Sequence, residues 1–489
     1  MAAANVERKF DFVVVGGGIA GVSCTEYLST LNGEKNICLI SGTDLVKSVS
    51  NVKKLSQTLE EYDVTEQPLH ALVRRNVTVV KATVVNFNPE AHKVMTSDGK
   101  EYVYKKLCIC TGARPKLISE ENEHVIGLRD LQSVEYFQKR LSTAKRVVIV
   151  GNGGIALELA YELQGCAVVW VIKDDTIGNA YFDKGAAHFF LASTSKHYVS
   201  FESKTKLTKM LPQDKLCNSS VPMSSGEGSM YAAALGQSWK DDLNMGSDEV
   251  CRKNVIVEYS TEVKALLNCE QFKDLNNGEI DKNNWNIFVE LSNGKIYGCD
   301  FLVSATGVLP NTEPFTKHSD LKIADDGGII VDKCMRTNLN DVFAAGDVCN
   351  ASWEHSEYWF QMRLWTQANQ MGAYAAKCMI SDLGETENFM DFCFEMFAHV
   401  TSFFGFKVIL LGKYNGQGLG SDYEALLRCT MGREYVKVVL HEGRIHGALL
   451  IGETELEETL ENLILNQMDV SQFGEDLLNP DIDIDDFFD

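Results

Sequence analysis

A run of apolar β-formers, Phe12 to Val15, leads directly into Gly16-x-Gly18-x-x-Gly21 and then into a helical pattern ending near Leu28. No other feature constrains the fold as strongly. After a strand and before a helix, Gly16 permits a tight turn, Gly18 lets the backbone approach a pyrophosphate, and Gly21 lets the helix pack on the strand. The phosphate then meets the positive end of the helix dipole. The same logic recurs from Arg146 to Leu163, with Gly151-x-Gly153-x-x-Ala156. Two such units predict two dinucleotide sites, which one fingerprint does not.

The strand after the first helix is expected at Asn36 to Ile40 and ends on Ser41, where the fingerprint usually carries an acid for the ribose hydroxyls. A serine hydroxyl can still bond ribose, and Asp44 lies close by. In the second unit the next strand, Ala167 to Ile172, ends on Lys173. A cation there accepts a 2′-phosphate, but Asp174 and Asp175 follow at once, so NADH and NADPH both stay open. Two later strands share an ending: KLCIC runs into Thr111-Gly112 and DFLVSA into Thr306-Gly307, with Pro115 and Pro310 three residues on. The segment DVFAAGD delivers Gly346 and Asp347 to a sharp turn, where an acid is well placed to bond a cofactor's polyol chain. A helix from Trp365 to Cys378 follows.

At 489 residues the chain predicts two or three domains. A net charge of -22 argues against direct binding of nucleic acid or anionic lipid, which it would repel. No apolar run reaches the roughly 18 residues of a membrane span, and nothing before Phe10 has the apolar core of a secretory signal. A soluble cytosolic or nuclear protein is therefore expected. The 14 cysteines contain no CxxC or CxxxxC pair, so neither metal site nor disulfide framework is expected. The nearest two, Cys108-x-Cys110, face the same way on a strand and read as packed thiols. From about 193 to 284 the chain turns polar, with SSGEGS and KDLNNGEIDKNN, and reads as a partly disordered insertion with strand-like islands at Val255 to Tyr259 and Trp285 to Leu291. The last hundred residues give three antiparallel strands in FKVILLGKY, EYVKVVLHEG and RIHGALLIG, then an acidic amphipathic helix from Glu453 to Gln467. The tail DIDIDDFFD is either a flexible end or a docking peptide.

In their order, these motifs resemble those of the pyridine nucleotide-disulfide oxidoreductases, flavoproteins with two dinucleotide folds. The stretches GNGGIALELAYE, YGCDFLVSATGV, MRLWTQA, GLGSD and IGETELEETLENLILNQM carry the resemblance most closely. It implies an α/β chain with two Rossmann-like dinucleotide-binding domains, the NAD(P) domain inserted in the FAD domain, plus an α+β C-terminal domain. The implied boundaries are 1–130 and 300–388 for the FAD domain, 131–299 for the NAD(P)H domain, and 389–489 for an interface-like domain with an acidic tail. FAD would occupy Gly16 to Gly21, with Asp347 on its ribitol and phosphate side. NADH or NADPH would occupy Gly151 to Ala156. The Thr111-Gly112 and Thr306-Gly307 strand ends would close over the two sites, and Trp359 and Trp365 either cover the flavin ring or pack in the core.

The chemistry implied is hydride transfer from nicotinamide to flavin, with the protein supplying position and electrostatics. A family Lys–Glu pair beside the flavin maps to Lys53, with Lys54 its neighbour, and Glu158. The redox cysteine pair that precedes this lysine in disulfide reductases maps to Leu45 and Ser50, so dithiol exchange is expected to be absent. A His-Pro proton donor is missing too, since His399 is followed by Val and Thr. The resemblance implies an FAD-dependent NAD(P)H oxidoreductase in the oxidative stress response, in cytoplasm, nucleus and the muscle sarcomere. The alternative is an NAD(P)H-sensing flavoprotein that binds and protects an oxidation-sensitive partner. Monomer and homodimer are both left open.

Overall fold

The computed structural model describes residues 8–129, 131–193, 205–210, 255–275, 284–384 and 386–482. They fall into two compact units: 8–114 with 308–397, and 115–307 with 398–482. The chain thus leaves the first unit, builds part of the second, and returns.

In the first unit, strand Arg8–Val15 lies between Ile37–Ser41 and Glu101–Ile109, parallel to both. Val77–Lys81 extends the sheet beyond Ile37–Ser41, and Val342–Ala344 pairs in parallel with the end of Glu101–Ile109. Phe12, Val13, Val14, Ile37 and Leu39 are fully buried, as a parallel sheet covered on both faces requires. The glycine helix Ile19–Leu31 packs against the long helix Trp365–Leu383. Their approach is close because a Cβ on Gly372 would stand 2.2 Å from the Ala20 carbonyl oxygen. A two-stranded ribbon, Leu45–Lys54 against Glu60–Pro68, follows Ile37–Ser41.

In the second unit a five-stranded parallel sheet runs Val125–Ile126, Phe301–Ser304, Arg146–Val150, Ala167–Val171, Val255–Glu258. An antiparallel meander of Val263–Leu267, Ile287–Leu291 and Ile296–Cys299 accompanies it. This corrects part of the polar-insertion expectation. The island at 255–259 holds the edge strand Val255–Glu258 of the nucleotide sheet, so the described residues from 255 to 275 belong to that fold. Their strand signal is weak because an edge strand needs fewer apolar residues than a central one.

The three expected C-terminal strands form as Phe406–Gly412, Glu434–His441 and Arg444–Ile451. They join Ala398–Phe403, Glu424–Thr430 and Lys206–Met210 in a six-stranded antiparallel sheet. Lys206–Met210 is a piece of the polar stretch captured as an edge strand by Glu424–Thr430. The acidic helix spans Glu457–Asn466. The SSGEGS segment and all but the first two residues of the tail lie outside the described residues.

Candidate functional sites

The first glycine loop is set by backbone sterics. Gly16 has φ +125°, and a Cβ there would stand 2.0 Å from the Cys110 carbonyl oxygen on the neighbouring strand end. A Cβ on Gly21 would stand 1.9 Å from the Gly16 carbonyl oxygen. Apart from its chain neighbours, no atom of the described residues lies within 4 Å of where a Gly18 Cβ would be. Gly16 and Gly21 are thus required by the protein's own packing, whereas Gly18 keeps an open cradle over the helix start. Gly18 caps Ile19–Leu31 in extended conformation, with no side chain bonding the first-turn N–H groups. Bare amides beside an open cradle fit a dinucleotide pyrophosphate.

The second loop repeats this geometry. Gly151 has φ +133°, and its Cβ would stand 2.1 Å from the Ala305 carbonyl oxygen. Gly153 caps Gly154–Glu162 in extended conformation without a side-chain partner, and Ala156 is fully buried where the helix meets the sheet. The buried Trp170 indole N–H donates to the Gly151 carbonyl at 2.8 Å and fixes the turn from below.

Around the first loop, the turn after Val342–Ala344 carries Gly346, at φ +79°, and the buried Asp347. Arg363, also buried, donates from Nε to the Asp347 carbonyl at 2.9 Å and from Nη2 to Asp326 at 2.6 Å. Burial alone would raise the Asp326 carboxyl, but Arg363 and neighbouring donors hold it below its usual value. Trp365 opens the helix Trp365–Leu383, whose start has no side-chain cap, and packs against Ile19, Tyr62 and Val64. Thr111 Oγ1 donates to the Asn311 carbonyl at 2.7 Å and the Asn311 amide returns to the Thr111 carbonyl at 2.9 Å. Thr306 Oγ1 donates to the Lys116 carbonyl at 2.9 Å, and Lys116 N–H to the Gly307 carbonyl at 2.7 Å. Both strand ends are therefore tied down where the chain leaves one unit and enters the other.

The structure decides three site expectations. The Ser41 hydroxyl is buried under Gly17 and bonded to Thr43, so it serves the turn instead of a ribose. The nearby acid, Asp44, is exposed and paired with Lys81. Trp359 is a core side chain, stacked on Trp353 at 5.4 Å and edge-on to Phe394 at 5.5 Å. Lys53 stands exposed near the end of the ribbon, opposite Glu61. The ribbon lysine nearest the glycine loop is Lys47, whose backbone N–H donates to the Gly17 carbonyl at 3.0 Å. Lys53 belongs to the first unit and Glu158 to the second. Glu158 is half-buried on the second glycine helix, beside Tyr181, whose hydroxyl is bonded to the Gly154 backbone; burial and that carboxylate push the phenol upward.

The described cysteines are thiols. All described cysteines are free, and no cluster able to hold a metal ion occurs among the described residues. Cys108 and Cys110 sulfurs lie 3.5 Å apart, fully buried. The Cys110 contact pulls the Cys108 thiol downward, but Cys24 and burial prevail and push it well above its usual value. Such thiols are poor nucleophiles.

Residues 10–237 and 247–372 match the family described as pyridine nucleotide-disulphide oxidoreductase. The chain belongs to the pyridine nucleotide-disulfide oxidoreductase family. It is 51% identical over 493 residues to pyridine nucleotide-disulfide oxidoreductase domain-containing protein 1 of Rattus norvegicus, covering 98% of each chain. The protein of that name from Drosophila melanogaster is 44% identical, over 99% of this chain and 100% of the relative. Among solved structures, a ferredoxin reductase from Rhodopseudomonas palustris matches with TM-score 0.64 and 17% identity, over 98% and 99% of the two chains. The water-forming NADH oxidase from Lactobacillus brevis, bound to NADH, matches with TM-score 0.63 and 14% identity, over 95% and 92%. At these identities the structures establish the shared fold.

Within this family framework, Trp170, Arg363 and Asn152 are the supporting residues that sequence reasoning passed over. Each bonds a backbone carbonyl or a loop distant in sequence, and no spacing rule records such partners. MRLWTQA contains Arg363, but only the fold shows it bracing Asp347.

Proposed function

We propose that this chain is an FAD-dependent NAD(P)H oxidoreductase that works without a cysteine relay. The observation that carries the second half is the ribbon. Leu45 and Ser50 sit on one continuous extended strand in unbroken register. Five residues of extended chain span about 16 Å, whereas a disulfide needs Cα atoms within about 7 Å. The place where disulfide reductases carry their redox pair thus lacks the sulfurs and has a backbone that could not join them.

The first glycine loop, the uncapped start of Ile19–Leu31 and the Gly346–Asp347 turn would hold FAD; the second loop would hold the nicotinamide nucleotide. Bound together, these cofactors supply hydride transfer from nicotinamide to flavin. The chain orients the two nucleotides, braces the Asp347 turn through Arg363, and keeps Tyr181 packed under the second glycine helix. Glu158 is proposed to set the charge beside the flavin, a role that rests on the resemblance.

The test is an anaerobic titration of purified protein with NADH and NADPH, followed by admission of air and by a disulfide substrate. Bleaching of bound flavin, with turnover in air or with an artificial acceptor but none with a disulfide, is the expected result. Cysteine-dependent disulfide reduction would overturn it. Missing sulfurs on the ribbon also favour a second reading, an NAD(P)H-sensing flavoprotein with little turnover that shields an oxidation-sensitive partner. Sustained multiple turnover with a physiological acceptor would exclude that reading. A role in the oxidative stress response, in cytoplasm, nucleus and sarcomere, belongs to the same proposal and is checked by imaging a tagged chain.

A further inference from the structure

The loop after strand Ala167–Val171 resolves an ambiguity that its sequence, Lys173-Asp174-Asp175, leaves open. A ribose with a free 2′-hydroxyl is best met by a carboxylate acceptor, and a 2′-phosphate by a cation free of competing acids. Which of the three charges is available therefore decides the nucleotide.

Both acids are engaged. Asn152, the variable residue between Gly151 and Gly153, donates from Nδ2 to Asp174 Oδ2 at 2.8 Å and to the Thr176 carbonyl at 2.9 Å. Its Oδ1 accepts the Gly178 N–H at 2.6 Å. That N–H can only donate, so the carboxamide orientation is fixed and its NH2 must face Asp174. Asp175 pairs with Lys184 at 2.5 Å. Lys173 is exposed, and among the described residues no carboxylate pairs with its ammonium.

The loop is also rigidly placed. Gly178 has φ +63°, and a Cβ there would stand 1.9 Å from the Phe182 ring. Further along, Tyr414 Oη donates to the Ala180 carbonyl at 2.7 Å, and Asp183 is held by Tyr435 and Lys437. One end is thus pinned to the glycine loop and the other to the C-terminal sheet.

We propose that the second glycine loop selects NADPH over NADH: Lys173 receives the 2′-phosphate, and Asn152 withdraws Asp174 from the ribose. This rests on the NAD(P)H reading above and adds the choice between the two nucleotides. Lys173 is a specificity residue and Asn152 a positioning residue.

The test uses the full-length flavin-loaded protein and calorimetric binding of 2′,5′-ADP against 5′-AMP, which differ only in the 2′-phosphate. Wild type is expected to prefer 2′,5′-ADP by about tenfold or more, the value of one charge-assisted contact. Lys173→Ala should bring that ratio close to one, while Lys173→Arg should keep it. Asn152→Leu, which frees Asp174, should lower the ratio, and Asp174→Asn in that background should restore it. That rescue would not follow if Asn152 served only to hold the loop. Equal binding of the two probes by wild type, or an unchanged ratio in Lys173→Ala, overturns the selectivity while leaving the oxidoreductase reading intact. Failure of both probes to bind, with no bleaching by NADH or NADPH, overturns both.

Discussion

The Lys437 ammonium meets the Asp183 carboxylate inside the second unit, with both residues almost fully buried. Tyr435 Oη donates to the same carboxylate at 2.9 Å, and the Gly185 and Ala186 N–H groups donate at 2.7 and 3.0 Å. One carboxylate thus caps the helix Lys184–Ser193 and anchors it to a strand of the C-terminal sheet. Burial alone would raise the Asp183 carboxyl, but Lys437 and the other donors hold it below its usual value.

Lys437→Met should therefore leave a buried charge without its counterion and destabilise the second unit by about 3–5 kcal/mol. Chemical denaturation monitored by tryptophan fluorescence measures this. The double variant Lys437→Met, Asp183→Leu should recover part of the loss, since an apolar pair of similar volume leaves no charge buried.

The glycines separate folding from cofactor binding. Gly21→Ala puts a Cβ 1.9 Å from a backbone oxygen and should prevent folding. Gly18→Val enters open space and should give folded protein without flavin. Circular dichroism and flavin absorbance of the two variants distinguish the outcomes; normal flavin content in Gly18→Val would remove FAD from this loop.

Installing cysteines at the family's redox positions should not create a disulfide reductase. The variant Leu45→Cys with Ser50→Cys should retain two free thiols under oxidising conditions, because its strand holds them about 16 Å apart. Thiol titration and mass spectrometry give the count.

Stability should depend on pH through His399. Burial pushes its imidazole down to about 4, whereas the unfolded residue titrates near 6.5. Between those values the unfolded chain binds more protons, so the contribution is complete above pH 6.5 and is lost as pH falls toward 4. The loss is of order 3 kcal/mol. His399→Gln should flatten the pH dependence of the urea midpoint across that window.

Glu158→Ala should slow bleaching of the flavin by nicotinamide nucleotide about tenfold while flavin stays bound. Anaerobic stopped-flow absorbance measures the rate, and an unchanged rate would remove Glu158 from the site.

The local features were legible in the sequence. Each glycine loop is a strand, a turn and a helix contiguous in the chain, with steric demands that act within a few residues, so Gly16, Gly21 and Gly151 can be assigned from spacing. The buried parallel strands were readable because two covered faces demand unbroken apolar runs. Ser41 reads as a ribose contact and Trp359 stays open between ring cover and core for one shared reason. A hydroxyl or an indole suits a ligand and a core equally well, and only the surrounding residues, Thr43 for one and Trp353 with Phe394 for the other, decide which.

The sequence by itself determined two dinucleotide folds in one chain and the absence of any CxxC or CxxxxC pair, because both follow from residue identity and short-range spacing. Tertiary structure decided the rest: that 45–54 is an extended ribbon, that Val255–Glu258 completes a parallel sheet, that Lys206–Met210 joins a sheet more than two hundred residues away, and that Asn152 claims Asp174. Strand pairing and charge pairing depend on partners brought together by folding, and an edge strand or an acid carries no local mark of which partner it will meet.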